Sequence, residues 1–239
     1  MGWDAIERVV FMRSVNEKRK LSIQYNKLGD IAKQEGNLDS ARQYYEDALK
    51  IREDIAWEAD DLVNAKKYYE KSFDIIEKLS KTIKTTQISN RLAITYERFG
   101  NIEYAKGDLF LANYYYEIYF TTSKEIAEET KEEYAYRNLS ISYERLGDIA
   151  LETGDILHAE KYYEKSLKIS EQLVTKTESR ESLSDLADCY LKMHFAKEDN
   201  IEWIKKSYDI YKKRAKCYPE IKRYTNNFNI IKKNIKTDF

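Results

Sequence analysis

Apolar and small residues return along this chain at the spacing of one helix face, and they do so in copies. Tyr25, Leu28, Gly29 and Ala32 stand at i, i+3, i+4 and i+7, and Tyr143, Leu146, Gly147 and Ala150 repeat the pattern. A second stripe follows each first one: Ala41, Tyr45, Ala48 and Leu49 in one copy, Ala159, Tyr163, Ser166 and Leu167 in the other. Polar residues fill the positions between, so every stripe predicts an amphipathic helix with one flank to bury. Each copy reads as a helical hairpin.

Glycine sets the punctuation. Six of the seven glycines form pairs seven residues apart: Gly29/Gly36, Gly100/Gly107 and Gly147/Gly154. The step between the last two pairs is 47 residues, and between the first two it is 71, or 47 plus 24. The second glycine of each pair can take the left-handed backbone that ends a helix. Asn37, Asp108 and Asp155 follow directly and can cap the free amides of the next helix. The first glycine of each pair lies inside a helix, at a cost of about 1 kcal/mol relative to alanine. Close approach of the partner helix is the expected compensation, since Ala41, Ala112 and Ala159 opposite are also small.

An aromatic residue, Leu-Gly, a small residue, a turn glycine, then Ala, Tyr and Ala/Ser-Leu is a pattern that resembles the tetratricopeptide repeat. The resemblance spans about residues 14–217 and is most specific in the first and third copies, where the quoted residues all stand. Glu103 and Tyr119 depart from the small residues the pattern asks for in the second copy. The family's usual unit is about 34 residues, whereas the period here is 47 and the closing proline is absent. Helices on the order of 20 residues follow from these departures. The implied fold is all-α: a right-handed superhelical array of antiparallel helical hairpins in one domain over 1–239. Its units are about 14–57, 39–84 (truncated and overlapping the first), 86–129, 131–176 and 178–217, with a capping helix at 219–235. Pro219 can open that cap, whose apolar stripe is Ile221, Tyr224, Phe228, Ile231 and Ile235. Ser14-x-x-Glu17 and Thr130-x-x-Glu133 read as capping boxes. The missing helix near residue 60 predicts an irregular seam around Trp57, a candidate homodimer contact.

Composition narrows the function. Forty-one basic residues oppose 42 acidic ones, a net charge of −1, which argues against a dedicated nucleic-acid or anionic-membrane binder. No apolar run approaches the roughly 20 residues of a membrane span. Two cysteines, Cys189 and Cys217, form no disulfide framework or metal spacing, and a cytoplasmic location is expected. His158 and His194, the two histidines, read as solvated or structural. Motifs for nucleotide, metal or nucleophilic chemistry are lacking, so neither an enzyme nor a cofactor is expected. Of the 21 tyrosines, eight form the doublets Tyr44-Tyr45, Tyr68-Tyr69, Tyr115-Tyr116 and Tyr162-Tyr163. The second of each lies on the core stripe, and the first is expected to pack on a neighbouring unit.

The resemblance implies a protein-interaction scaffold, with the first helix of each unit lining a groove for a peptide or partner protein. The stripe beside the core stripe is then the candidate binding surface: Asn26, Asp30 and Lys33; Glu97, Asn101 and Tyr104; Glu144, Asp148 and Leu151. Four of these nine are acidic and one basic, which suits a partner with basic and apolar residues. The alternatives are a self-assembling structural protein and a peptide-sensing regulatory module.

Overall fold

The computed structural model describes residues 85–177, 179–197 and 201–218, together with scattered positions within 18–51, 66–80 and 225–232. Asn26, Lys33, Trp57, the Ser14 capping box and most of the 219–235 stripe lie outside the described residues. Six helices are continuous: α1 (Thr86–Ala105), α2 (Leu109–Thr130), α3 (Glu133–Glu152), α4 (Ile156–Thr177), α5 (Arg180–Ala196) and α6 (Ile201–Cys217). Described positions between 18 and 34, 40 and 51, and 66 and 80 are helical too, and there is no strand among the described residues. The first four helices run 20, 22, 20 and 22 residues, the length the absent proline leads one to expect.

The chain divides into two compact units, Met1–Lys106 and Gly107–Phe239. In the first, Ala32, Ala48 and Tyr69 are buried, and Tyr69 meets Phe99 edge-on with centroids 6.3 Å apart. Phe73 bridges Tyr96 and Phe99 at 5.5 and 5.7 Å. Glu103, which stands where the repeat pattern asks for a small residue, is buried and reaches Lys66 Nζ at 2.7 Å and Lys106 Nζ at 3.3 Å. Burial pushes its carboxyl up, but the two ammonium groups outweigh that and hold it below the ordinary range.

In the second unit consecutive helices pack as neighbours from α2 to α6, and α3 also touches α5. Ala150, Ala159, Tyr163, Leu167, Leu186, Cys189 and Met193 form the core shared by α3, α4 and α5. Ile126, Ala127, Ala135 and Leu139 join α2 to α3. At the far end, Ile231 is buried with Ala187, Ile204 and Tyr211, and Phe228 packs against them.

Glycine turns end the helices. Gly36, Gly107 and Gly154 hold φ of 78°, 82° and 80°, the left-handed region that glycine enters without steric cost. Asp155 N donates to Ala150 O and Asn37 N to Ala32 O, both at 2.8 Å, the helix-ending bonds of a Schellman turn. Asn37, Asp108 and Asp155 then accept from the amides of Ser40, Leu111 and His158 at 3.1, 3.0 and 3.3 Å. The Thr130 box does not form. Thr130 belongs to the last turn of α2 and donates to Ile126 O at 2.9 Å, and Lys131 turns left-handed behind it. Helix α3 instead starts after Glu132, which makes no side-chain cap bond. Thr85 and Ser179 cap α1 and α5.

Tyrosine doublets obey half of the expectation. Tyr69, Tyr116 and Tyr163 are buried, as second members should be. Tyr45 and Tyr68 lie outside the described residues. Two first members also meet the first helix of their own hairpin: Tyr44 lies against Tyr25, and Tyr162 lies against Tyr143 while packing on the core cluster shared with α5. Centroids are 6.3 Å apart and planes inclined 32° in both cases.

Candidate functional site

Helices α3 and α5 open two successive hairpins, and a polar seam runs where they meet. On α3 the seam is Arg137, Glu144 and Asp148; on α5 it is Asp185, Asp188, Cys189 and Lys192. Arg137 grips Asp185 with two nitrogens, Nε to Oδ2 and Nη2 to Oδ1, the latter at 3.0 Å. That fork raises the guanidinium further above its ordinary value, mainly through the Asp185 hydrogen bond. Lys192 donates to Asp148, which also accepts from Tyr163 Oη at 2.8 Å and has Arg145 at 3.8 Å. Cys189 Sγ donates to Glu144 Oε1 at 3.1 Å, and Ser166 Oγ donates to the same oxygen at 3.1 Å. The partners advance together along both helices, 137 with 185, 144 with 189 and 148 with 192, so α3 and α5 run parallel.

Below the seam lies a serine cluster. Ser140 Oγ stands 2.8 Å from Ser166 Oγ and 2.9 Å from Ser170 Oγ, and Ser166 Oγ is 3.2 Å from Cys189 Sγ. All are buried. Hydroxyls in this place satisfy one another and allow α3, α4 and α5 to approach closely. Gly147 lets Tyr163 in beside them: a β-carbon at 147 would stand 2.7 Å from Tyr163 Cδ1 and closer still to Cε1. The close approach anticipated for the mid-helix glycine is therefore present, with a tyrosine ring as the approaching group.

Burial sorts the candidate groove residues. Asp30 is exposed; Asn101, Tyr104 and Leu151 are half-buried. Glu97, Glu144 and Asp148, expected on an exposed stripe, are buried at 6%, 6% and 8% exposure. For Glu144 and Asp148 the reason is α5, which covers the side of α3 that one hairpin alone would leave open. Glu97 accepts from Asn101 Nδ2 at 2.8 Å and pairs with Arg98 at 3.5 Å. What remains outside the seam on α3 is the adjoining stripe Tyr134, Ile141, Arg145 and Glu152, at i, i+7, i+11 and i+18. Sequence reasoning missed the α5 half of the seam, although Asp185, Cys189 and Lys192 sit 48, 45 and 44 residues after their partners, close to the glycine period.

Burial and the neighbouring Asp188 drive the Glu144 carboxyl up to about 7, against the pull of Cys189, Arg145 and Lys192. Burial and Glu144 push the Cys189 thiol well above its ordinary value. His158 is exposed with Nδ1 2.8 Å from Asp155, and His194 is half-buried beside Phe195. Among the described residues no group of His, Cys, Asp and Glu is arranged to hold a metal ion. No helix among them is long and apolar enough to cross a membrane.

The tetratricopeptide repeat family model matches residues 25–55 and 141–173. The chain carries tetratricopeptide repeats. The second matched repeat contains Glu144, Asp148 and Tyr163, so its core stripe and much of the α3 side of the seam lie in one recognised unit. Among solved structures, BtubC (BKLC) from P. vanneervenii shares the fold. It superimposes with a TM-score of 0.56 at 11% identity, over 93% of this chain and 83% of that one. A thermophilic TPR protein of Thermus thermophilus gives a TM-score of 0.47 at 15% identity, over 88% of this chain and 98% of that one. No curated protein matches the sequence.

Proposed function

We propose that this chain is a non-catalytic scaffold that binds a peptide or partner protein along the face its first helices present. Tetratricopeptide repeats mediate protein–protein contacts, and the seam supplies the physical support for that use here. Arg137–Asp185 and Asp148–Lys192 fix α3 and α5 side by side, so the stripe of Tyr134, Ile141, Arg145 and Glu152 is held in place before a partner arrives. A surface ordered in advance loses less entropy on binding. The seam also alters the ligand class expected from sequence. Its acids are consumed by internal partners, so apolar and hydrogen-bonding groups suit this face better than a partner chosen for positive charge. The Cys189 thiol, buried and held protonated, is no nucleophile.

Selection of peptides on the immobilised full chain from a displayed random library, followed by binding isotherms, tests the proposal. Tyr134→Ala and Glu152→Lys are expected to weaken a selected peptide about tenfold or more. Lys161→Glu and Lys168→Glu, exposed on α4, are expected to leave it unchanged. The reverse ranking would refute the assignment of the face.

A further inference from the structure

Every other acid of the seam has a cation or a phenol for a partner: Asp185 has Arg137, Asp148 has Lys192 and Tyr163, and Asp188 has Tyr211 Oη. Glu144 is the exception. It is buried, and the groups that donate to it are a thiol from α5 and a hydroxyl from α4. One carboxyl therefore ties three helices together through neutral donors, and the Asp188 charge on α5 acts on it as well. A neutral carboxyl is at ease in that position; an ionised one is desolvated and repelled across the seam.

We propose that Glu144 is a proton-operated latch between the α3–α4 hairpin and the α5–α6 hairpin: closed while the carboxyl carries its proton, loosened when it ionises.

Surrounding charges fit this assignment. On α3 itself Arg145 and Asp148 flank Glu144, and Arg145 leans toward Asp148. On α4 the titratable neighbour is Tyr163, committed to Asp148. On α5 Lys192 is likewise committed to Asp148, Asp185 to Arg137, and the Cys189 thiol stays protonated and donates. On α2, Tyr119 acts on Arg137 and Glu128 on Tyr143. The neighbouring cations therefore pull weakly, and the carboxyl titrates at about 7, where a small change in acidity changes its charge. Asp188 passes the repulsion onward, because Tyr211, which donates to it, is fully buried in the α5–α6 core. Ionisation thus separates α5 and α6 as a pair from α3 and α4. The latch acts on the seam that orders the proposed binding face, but its test needs no bound partner.

Amide hydrogen exchange of the full chain, corrected for the intrinsic rate at each pH, reads the latch directly. Between pH 5.5 and 8 the protection of α5 amides should fall by about tenfold or more, as the proton held by the closed form is lost. Amides of the α2–α3 contact should change less. Glu144→Gln keeps a neutral group of the same shape, so its α5 protection should stay high and flat with pH. Asp188→Asn should keep the transition but lower its midpoint in pH, because removing that charge lets Glu144 ionise more easily. Protection of α5 that is independent of pH in the wild type would overturn the proposal. So would an unchanged pH dependence in Glu144→Gln, or an unmoved midpoint in Asp188→Asn should the first variant fail to fold.

Discussion

Gly147 supplies space, because an alanine there collides with the Tyr163 ring, which is itself fully buried. Gly147→Ala should therefore destabilise by about 1–3 kcal/mol in urea unfolding, since overpacking outweighs the gain in helix propensity. Gly154 supplies conformation instead. A methyl there meets nothing within 4 Å, but φ is +80°, so Gly154→Ala should cost about 1 kcal/mol from backbone strain alone. Asp108→Ala should cost about 1 kcal/mol through loss of the α2 cap. The glycines and the Asn37, Asp108 and Asp155 caps were legible because their signals are local, each confined to a few adjacent residues. Thr130 misled for the same reason. Its threonine-to-glutamate spacing fits a box, but α2 runs on to Thr130 and turns at Lys131, and that helix length was not visible from the motif.

Stripes at the scale of whole helices revealed which flank of each is buried, but not everything that covers it. Gly147 and Ala150 pack on α4 as the period requires, Leu146 is buried, and Tyr143 meets both Phe120 of α2 and Tyr162 of α4. Glu144 and Asp148 sit one step round the helix, where a single hairpin covers only the side toward α4. In the array α5 lies down there too, so the two acids end up inside. Tyr163 and Ser166 of their own hairpin supply part of their hydrogen bonding, but Lys192 and Cys189 come from the next repeat, beyond the reach of one helix's periodicity. The Arg137–Asp185 fork is the clearest element-scale contact. A double-mutant cycle with Arg137→Ala and Asp185→Ala should show a coupling of about 1 kcal/mol, kept modest because the arginine is partly solvated. No measurable coupling would mean that α3 and α5 are held by packing alone.

For the whole molecule, acidity acts with opposite signs through two buried glutamates, Glu144 and Glu103. Glu144 holds its proton more tightly when folded, so its contribution is complete below about pH 4.5 and is lost as pH rises through about 7. The size of that loss by pH 8 is on the order of 3 kcal/mol. Glu103 is the reverse case: its lowered carboxyl stabilises above the ordinary glutamate value, and that stability is lost as pH falls through the folded value. Glu144→Gln should raise the denaturation midpoint at pH 8 and leave it nearly unchanged at pH 4.5. The repeat character was legible in the sequence because it is written several times over. The partner was not, because a scaffold's specificity lies in the side chains left over once packing and pairing are satisfied. The deciding measurement is the hydrogen-exchange footprint of a display-selected peptide on the full chain. Slowed exchange in α3 and α5, with α4 and α6 unchanged, is the expected result; slowing in α4 or α6, with α3 and α5 untouched, would contradict it.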